Sequence, residues 1–215
     1  MLKIKICGIT REEDAQAAVD LGVDALGFNF FEKSPRCIAL KQASEIMAKL
    51  PAEIWKVGIF VDAQVSQLRA ILDEVPLDTI QFHGAESAEF CNSWHGYRLI
   101  KALRAAPGLE ISPEAKRFAS SVNFLLFDSF DAEKFGGTGN TVPDAVLDGL
   151  WQAGALSRAF ISGGLTPENV GKVLAKYQPF GVDVASGVES SPGIKDRKKL
   201  GDFVKAVRKR VKNGA

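Results

Sequence analysis

Along the chain, the spacing of apolar positions alternates between two periods. Short runs rich in β-branched and aromatic residues give way to stretches in which apolar residues return every three or four positions. Runs of the first kind predict strands over 3–7, 25–30, 55–61, 79–82, 98–103, 124–128, 159–162 and 181–185. Stretches of the second kind predict amphipathic helices, among them 11–22, 41–50, 64–75 and 166–177. Gly22 is placed to close the first of these as the residue just past its end. Thr166, followed by Pro167 and Asn169, is placed to cap the start of the last. The span 105–121 is the least regular, because Pro107, Gly108 and Pro113 interrupt it, and it predicts a longer loop with a short helix.

Strands that alternate with about as many helices imply a parallel sheet, since a parallel strand needs a crossover. The repeat is tight enough that closure into a single-domain (β/α)8 barrel spanning 1–215 is expected, near the small end of that architecture's range. The open doubly wound sheet is the rival. It carries a glycine fingerprint after its first strand, which "CGITRE" at 7–12 does not match.

Composition narrows the function classes. The 215 residues are 46% hydrophobic and 25% charged, as in an ordinary globular protein. Lys and Arg (27) nearly balance Asp and Glu (26), so no overall field draws nucleic acid or an anionic membrane, and an anionic ligand has to be caught locally. The basic stretch 205–214 is spaced by Phe203, Val204, Val207 and Val211 like the outer face of an amphipathic helix. Cys7, Cys37 and Cys91 have neither disulfide-framework nor zinc spacing, and no window approaches 18 uninterrupted apolar residues. A cytoplasmic protein without nucleic-acid or membrane partners is expected.

In a (β/α)8 barrel, chemistry sits at the C-terminal ends of the strands. Cys7 ends the first predicted strand and Asp128 the sixth. The two-residue period places Lys3, Lys5 and Cys7 on one face, and Phe124, Leu126 and Asp128 likewise together. If that face is interior, Lys5 requires a buried counterion, for which Asp183 is the candidate. Gly163 and Gly164 follow the seventh strand, and Ser186 and Gly187 the eighth. These are the two loops where such barrels commonly hold phosphate, and glycine lets backbone N–H groups approach an anion closely. Arg36, in "EKSPR", is either a bidentate partner for a substrate carboxylate or a surface arginine in a turn. His83 either lines the pocket or caps its strand. The glycine-rich 134–140 is suited to cover a site but lacks the lysine of a nucleotide-binding loop. The two histidines, His83 and His95, hardly supply a metal centre. Trp55, Trp94 and Trp151 are expected to serve packing.

Taken in order, "KICGIT", "SPR", "VGIFV", "QFHG", "LLFDS", "GGTG", "SGGLTPENV" and "GVDVASGVE…PGIKD" resemble the phosphoribosylanthranilate isomerase family of tryptophan biosynthesis, from residue 3 to about residue 200. The resemblance implies a (β/α)8 barrel and an Amadori rearrangement of N-(5′-phosphoribosyl)anthranilate to 1-(2-carboxyphenylamino)-1-deoxyribulose 5-phosphate. It implies no cofactor and no metal, and a monomer or a homodimer. It also assigns Asp128 as general acid and Cys7 as general base, Arg36 to the anthranilate carboxylate, Gly163, Gly164, Ser186 and Gly187 to the phosphate, and Asp183 and His83 to substrate binding. The chemistry then asks for a protonated Asp128, and for a positive field, from Lys5 or a similar group, that favours the Cys7 thiolate. The chain departs from the family pattern at Cys37, at "VDA" (61–63) and after "GGTG", beside the pocket rather than at the reacting groups. Two other readings compete: a different sugar-phosphate isomerase on the same barrel, and a phosphate-binding scaffold without turnover.

Overall fold

The computed structural model describes residues 2–105, 111–118, 120–129 and 142–213. Eight parallel strands close into a barrel in chain order: β1 (Lys3–Cys7), β2 (Ala25–Asn29), β3 (Trp55–Phe60), β4 (Thr79–Phe82), β5 (Arg98–Ala105), β6 (Phe124–Ser129), β7 (Ala159–Ile161) and β8 (Gly181–Val184). Closure runs through β1 and β8, with Lys5 opposite Asp183. The helices on the outside are α1 (Glu12–Asp20), α2 (Leu40–Met47), α3 (Val65–Glu74), α4 (Ala88–Asn92), α5 (Ile111–Phe118), α6 (Asp144–Gln152), α7 (Val170–Lys176) and α8 (Arg197–Asn213). The closed barrel, not the open sheet, is the architecture.

Each strand lies within two residues of its expected bounds, and two helical details differ more. Gly22 does terminate α1, at φ +74° with its N–H on Val19 O. Thr166 does not cap α7. The side chain of Asn169 accepts from Thr166 N at 2.8 Å and donates to Gly164 O at 2.8 Å, which winds 166–169 into a separate turn and delays the helix to Val170. A short hairpin, β9 (Glu189–Ser191) and β10 (Ile194–Lys195), follows β8 and has no counterpart among the expected strands. In the terminal helix Phe203, Val204 and Val207 are buried as their spacing foretold, while the side chain of Val211 lies outside those described.

Two apolar layers hold this together. Most buried residues lie between sheet and helices, whereas a smaller group, Ala25, Val57, Ile100, Ala102, Leu126 and Phe160, fills the barrel interior. Trp55, Phe124 and Phe180 close its floor, with Phe124 stacked on Phe180 at 4.2 Å and the Arg98 guanidinium 3.8 Å from the Trp55 ring centre. Trp94 is buried as expected, but Trp151 is two-thirds exposed and packs little. With an apolar floor, the polar interior residues gather towards the opposite mouth, where the strands end.

Candidate active site

A cavity of about 260 Å³, sized for one small molecule, opens at that mouth. It is lined by Cys7, Arg36, His83, Asp128, Asp183 and the two glycine loops, so all nine residues singled out from sequence reach one space. The glycine-rich stretch 134–140, expected to cover the site, lies outside the described residues.

The inward parity of β1 puts Lys5 beneath Cys7. Lys5 is fully buried and its Nζ meets Asp183 Oδ1 at 2.8 Å, while Ser162 Oγ donates to the other carboxylate oxygen at 3.0 Å. Burial alone pushes the Lys5 ammonium down, but Asp183 and Cys7 outweigh it and hold the lysine above its ordinary value, so it stays charged. Lys5 supplies the expected positive field that favours the Cys7 thiolate, but that field does not prevail. Burial pushes the thiol up, Asp183 adds to that, and the opposing pull of Lys5, Lys195 and Arg36 does not overcome it.

Asp128 stands on β6, separated from β1 by the two strands β7 and β8. His83 Nε2 lies 3.4 Å from Asp128 Oδ2. The buried Gln81 places its Nε2 3.1 Å from His83 Nδ1, which holds the ring beside Asp128. Of the two readings of His83, the pocket-lining one holds.

Arg36 is neither a loose surface residue nor a free clamp. Its stem passes over Gly8, and its Nε and Nη2 engage Glu189 at 3.0 and 2.7 Å. Lys195 Nζ meets the same carboxylate at 2.8 Å and the Cys7 carbonyl at 2.5 Å. Burial pushes Glu189 up, but Arg36 and Lys195 prevail and hold it below its ordinary value. Glu189 and Lys195 were missed as site residues. Their signal was "GVE" and "GIKD", which the family resemblance quotes without giving either a role.

The glycine loops press on one another. A Cβ on Gly187 would sit 1.8 Å from Leu165 O, and one on Gly163 2.3 Å from Ser129 N. Gly163 and Gly164 hold φ +79° and +59°, open only to residues without a Cβ penalty. Ser186 and Gly187 begin a helical turn over Ser186–Val188, so their N–H groups have no partner within it. Gly187→Ala is expected to destabilise the fold by about 1–3 kcal/mol through overpacking, read as a lowered melting temperature. An unchanged melting temperature would show that the loops separate freely.

Residues 4–206 match the family model described as N-(5′-phosphoribosyl)anthranilate (PRA) isomerase. The chain belongs to this family. Among curated phosphoribosylanthranilate isomerases, that of Pseudomonas fluorescens is 45% identical, covering 96% of this chain and 98% of its own. That of Chlorobaculum parvum is 42% identical, covering 97% and 96%. The crystal structure of the Thermus thermophilus enzyme superposes with a TM-score of 0.85 at 34% identity, covering 97% of this chain and 99% of its own. A further phosphoribosylanthranilate isomerase, solved in complex with reduced 1-(o-carboxyphenylamino)-1-deoxyribulose 5-phosphate, superposes at 0.82 with 32% identity, covering 97% and 100%. A relative from Thermotoga maritima is described as dimeric. Among the described residues of this chain, no helix is long and apolar enough to cross a membrane.

Proposed function

We propose that this chain isomerises N-(5′-phosphoribosyl)anthranilate to 1-(2-carboxyphenylamino)-1-deoxyribulose 5-phosphate with Asp128 as general acid and Cys7 as general base. The observation that carries the reading is the meeting of a carboxyl group, a thiol, an arginine edge and two glycine loops in one cavity of a chain that belongs to the family.

Protonation of the ribose ring oxygen by Asp128 breaks the C1′–O bond as the nitrogen lone pair forms a Schiff base. Cys7 then takes the C2′ proton, and the electron pair moves to give an enolamine that tautomerises to the aminoketone. One group must approach the ring oxygen and the other C2′, and Asp128 and Cys7 enter the cavity from separate strands. The thiol is the weaker fit in the empty site. The base is the Cys7 thiolate, which becomes a thiol as it takes the proton, and the charges of Lys5, Lys195 and Arg36 favour that thiolate against burial. His83, whose Nε2 lies 3.4 Å from Asp128 Oδ2, is the side chain placed to steady the Asp128 carboxylate once it has given up its proton. The N–H groups of Gly163, Gly164, Ser186 and Gly187 receive the phosphate, and Asp183, oriented by Lys5 and Ser162, faces the sugar hydroxyls.

The test is to mix metal-free protein with freshly made N-(5′-phosphoribosyl)anthranilate and follow the loss of anthranilate-type fluorescence. Rapid first-order loss is expected, and none from folded protein would sink the reading. Arg36→Met in the same assay is expected to raise KM about 10- to 100-fold, the worth of a charge-assisted pair, with a smaller change in kcat.

A further inference from the structure

Two buried charges outside the cavity determine how Arg36 meets a ligand. Neither Glu189 nor Lys195 lines the cavity, yet both lie directly behind the arginine that does. Glu189 opens β9 and Lys195 ends β10, opposite one another in the antiparallel register, so the hairpin presents them as a unit. The Glu189 carboxylate is fully occupied: it accepts from Arg36 Nε and Nη2, from Lys195 Nζ, and from Gly193 N at 3.2 Å. Gly193 is itself fixed, since its carbonyl accepts from Thr10 Oγ1 at 2.5 Å. On the other side, the Arg36 Cδ occupies the space that a Cβ on Gly8 would need, 2.5 Å from it. The guanidinium is therefore fixed at stem and head.

A guanidinium has two edges that can grip a carboxylate in parallel. Glu189 takes the edge made by Nε and Nη2, which leaves the end edge, Nη1 with the second Nη2 proton, for the cavity. The charges decide whether that edge still attracts an anion. Arg36 and Glu189 alone would form a neutral pair with little pull. Lys195 adds a second positive charge to the same carboxylate, so the group of three carries a net positive charge, and the exposed part of it is the arginine edge. The outer side of Lys195 adds no competing carboxylate to this group: its backbone N–H meets Asp14, whose carboxylate is already held by Arg11 at 2.7 Å.

We propose that Glu189, with Lys195 as its counter-charge, is a positioning residue that turns Arg36 end-on and thereby sets recognition of the ring carboxylate of the substrate. This rests on the function proposed above. Its consequence is selective: loss of Glu189 weakens ligands that carry the carboxylate and leaves others as they are.

The experiment measures calorimetric affinity for two stable ligands, reduced 1-(o-carboxyphenylamino)-1-deoxyribulose 5-phosphate and the analogue lacking the ring carboxylate. Wild type, Glu189→Gln, Arg36→Met and the double variant are compared. Glu189→Gln is expected to weaken the carboxylated ligand about 10-fold and the other less than about twofold, and to add less than about twofold once Arg36 is gone. Glu189→Asp, which keeps the charge but shortens its reach, is expected to show the same selective loss to a smaller degree, and it serves if the glutamine variant does not fold. Equal weakening of both ligands, or of neither, would overturn the positioning role. Failure of the wild type to bind the carboxylated ligand at all would instead overturn the function on which it rests.

Discussion

Asp128→Asn is expected to lower kcat about 10²- to 10⁴-fold, and Cys7→Ala by a comparable factor, with KM shifted by no more than about threefold. Those factors are what positioned proton transfer supplies, and in the proposed function neither side chain is an anchor, that part being given to the Arg36 edge and the glycine loops. The amide of asparagine keeps the size of Asp128 and its contact with His83 but has no proton acidic enough for the ring oxygen. A loss confined to KM would remove Asp128 from the chemistry. Cys7 adds a pH signature. Because burial and Asp183 hold its thiol above the ordinary value of about 8.5, the free enzyme has little thiolate at neutral pH. The thiolate fraction, and kcat/KM with it, is therefore expected to climb as pH rises through and beyond the ordinary thiol range. Alkylation of the Cys7 peptide by iodoacetamide, followed by mass spectrometry, should climb over the same interval. An alkylation rate already level at pH 7 would show that Lys5, Lys195 and Arg36 prevail over burial.

The barrel and much of its mouth were legible in the sequence because both depend on local periodicity. The two-residue period of β1 put Lys5 on one face with Cys7 and, were that face interior, made Asp183 the candidate counterion; the pair is found at 2.8 Å. Cys7, Asp128 and the glycine loops were legible for the same reason: in this architecture the end of a strand is a position in space as well as in sequence.

What escaped the sequence depends on partners far along the chain or on a balance of forces. Arg36 and Glu189 are 153 residues apart, and the hairpin that carries Glu189 and Lys195 is too short for any period to show. The direction of the Cys7 shift escaped because adjacency reveals Lys5 but not the depth of burial that outweighs it. Thr166 failed as a cap because Asn169, three residues later, had a better use for the same backbone. The departure at "VDA" proves mild: Asp62 adopts φ +49°, which aspartate tolerates better than most residues, and its Oδ1 accepts from Ala85 N at 2.6 Å.

Lys101→Met is expected to destabilise the protein by about 3–5 kcal/mol, the usual result of stranding one member of a buried ion pair, with a melting temperature lower by roughly 10 °C for a chain of this size. Lys101 and Glu86 are each 3% exposed at the side chain and meet at 2.8 Å. Lys101 also donates to Gly84 O at 2.5 Å, and Glu86 accepts from Gly84 N and Asp62 N, each at 2.9 Å. One buried pair thus ties the loops after β3 and β4 to β5. Without the ammonium, Glu86 keeps its two backbone donors but not its counter-charge, and Gly84 loses the partner of its carbonyl. Glu86→Gln in the Lys101→Met background removes the stranded charge and is expected to recover a good part of the loss, measured by urea unfolding. No recovery would place the cost in lost packing of the lysine stem instead. Because His83 immediately precedes Gly84, the single variant is also expected to lose activity beyond its unfolded fraction, as the imidazole no longer keeps its place beside Asp128.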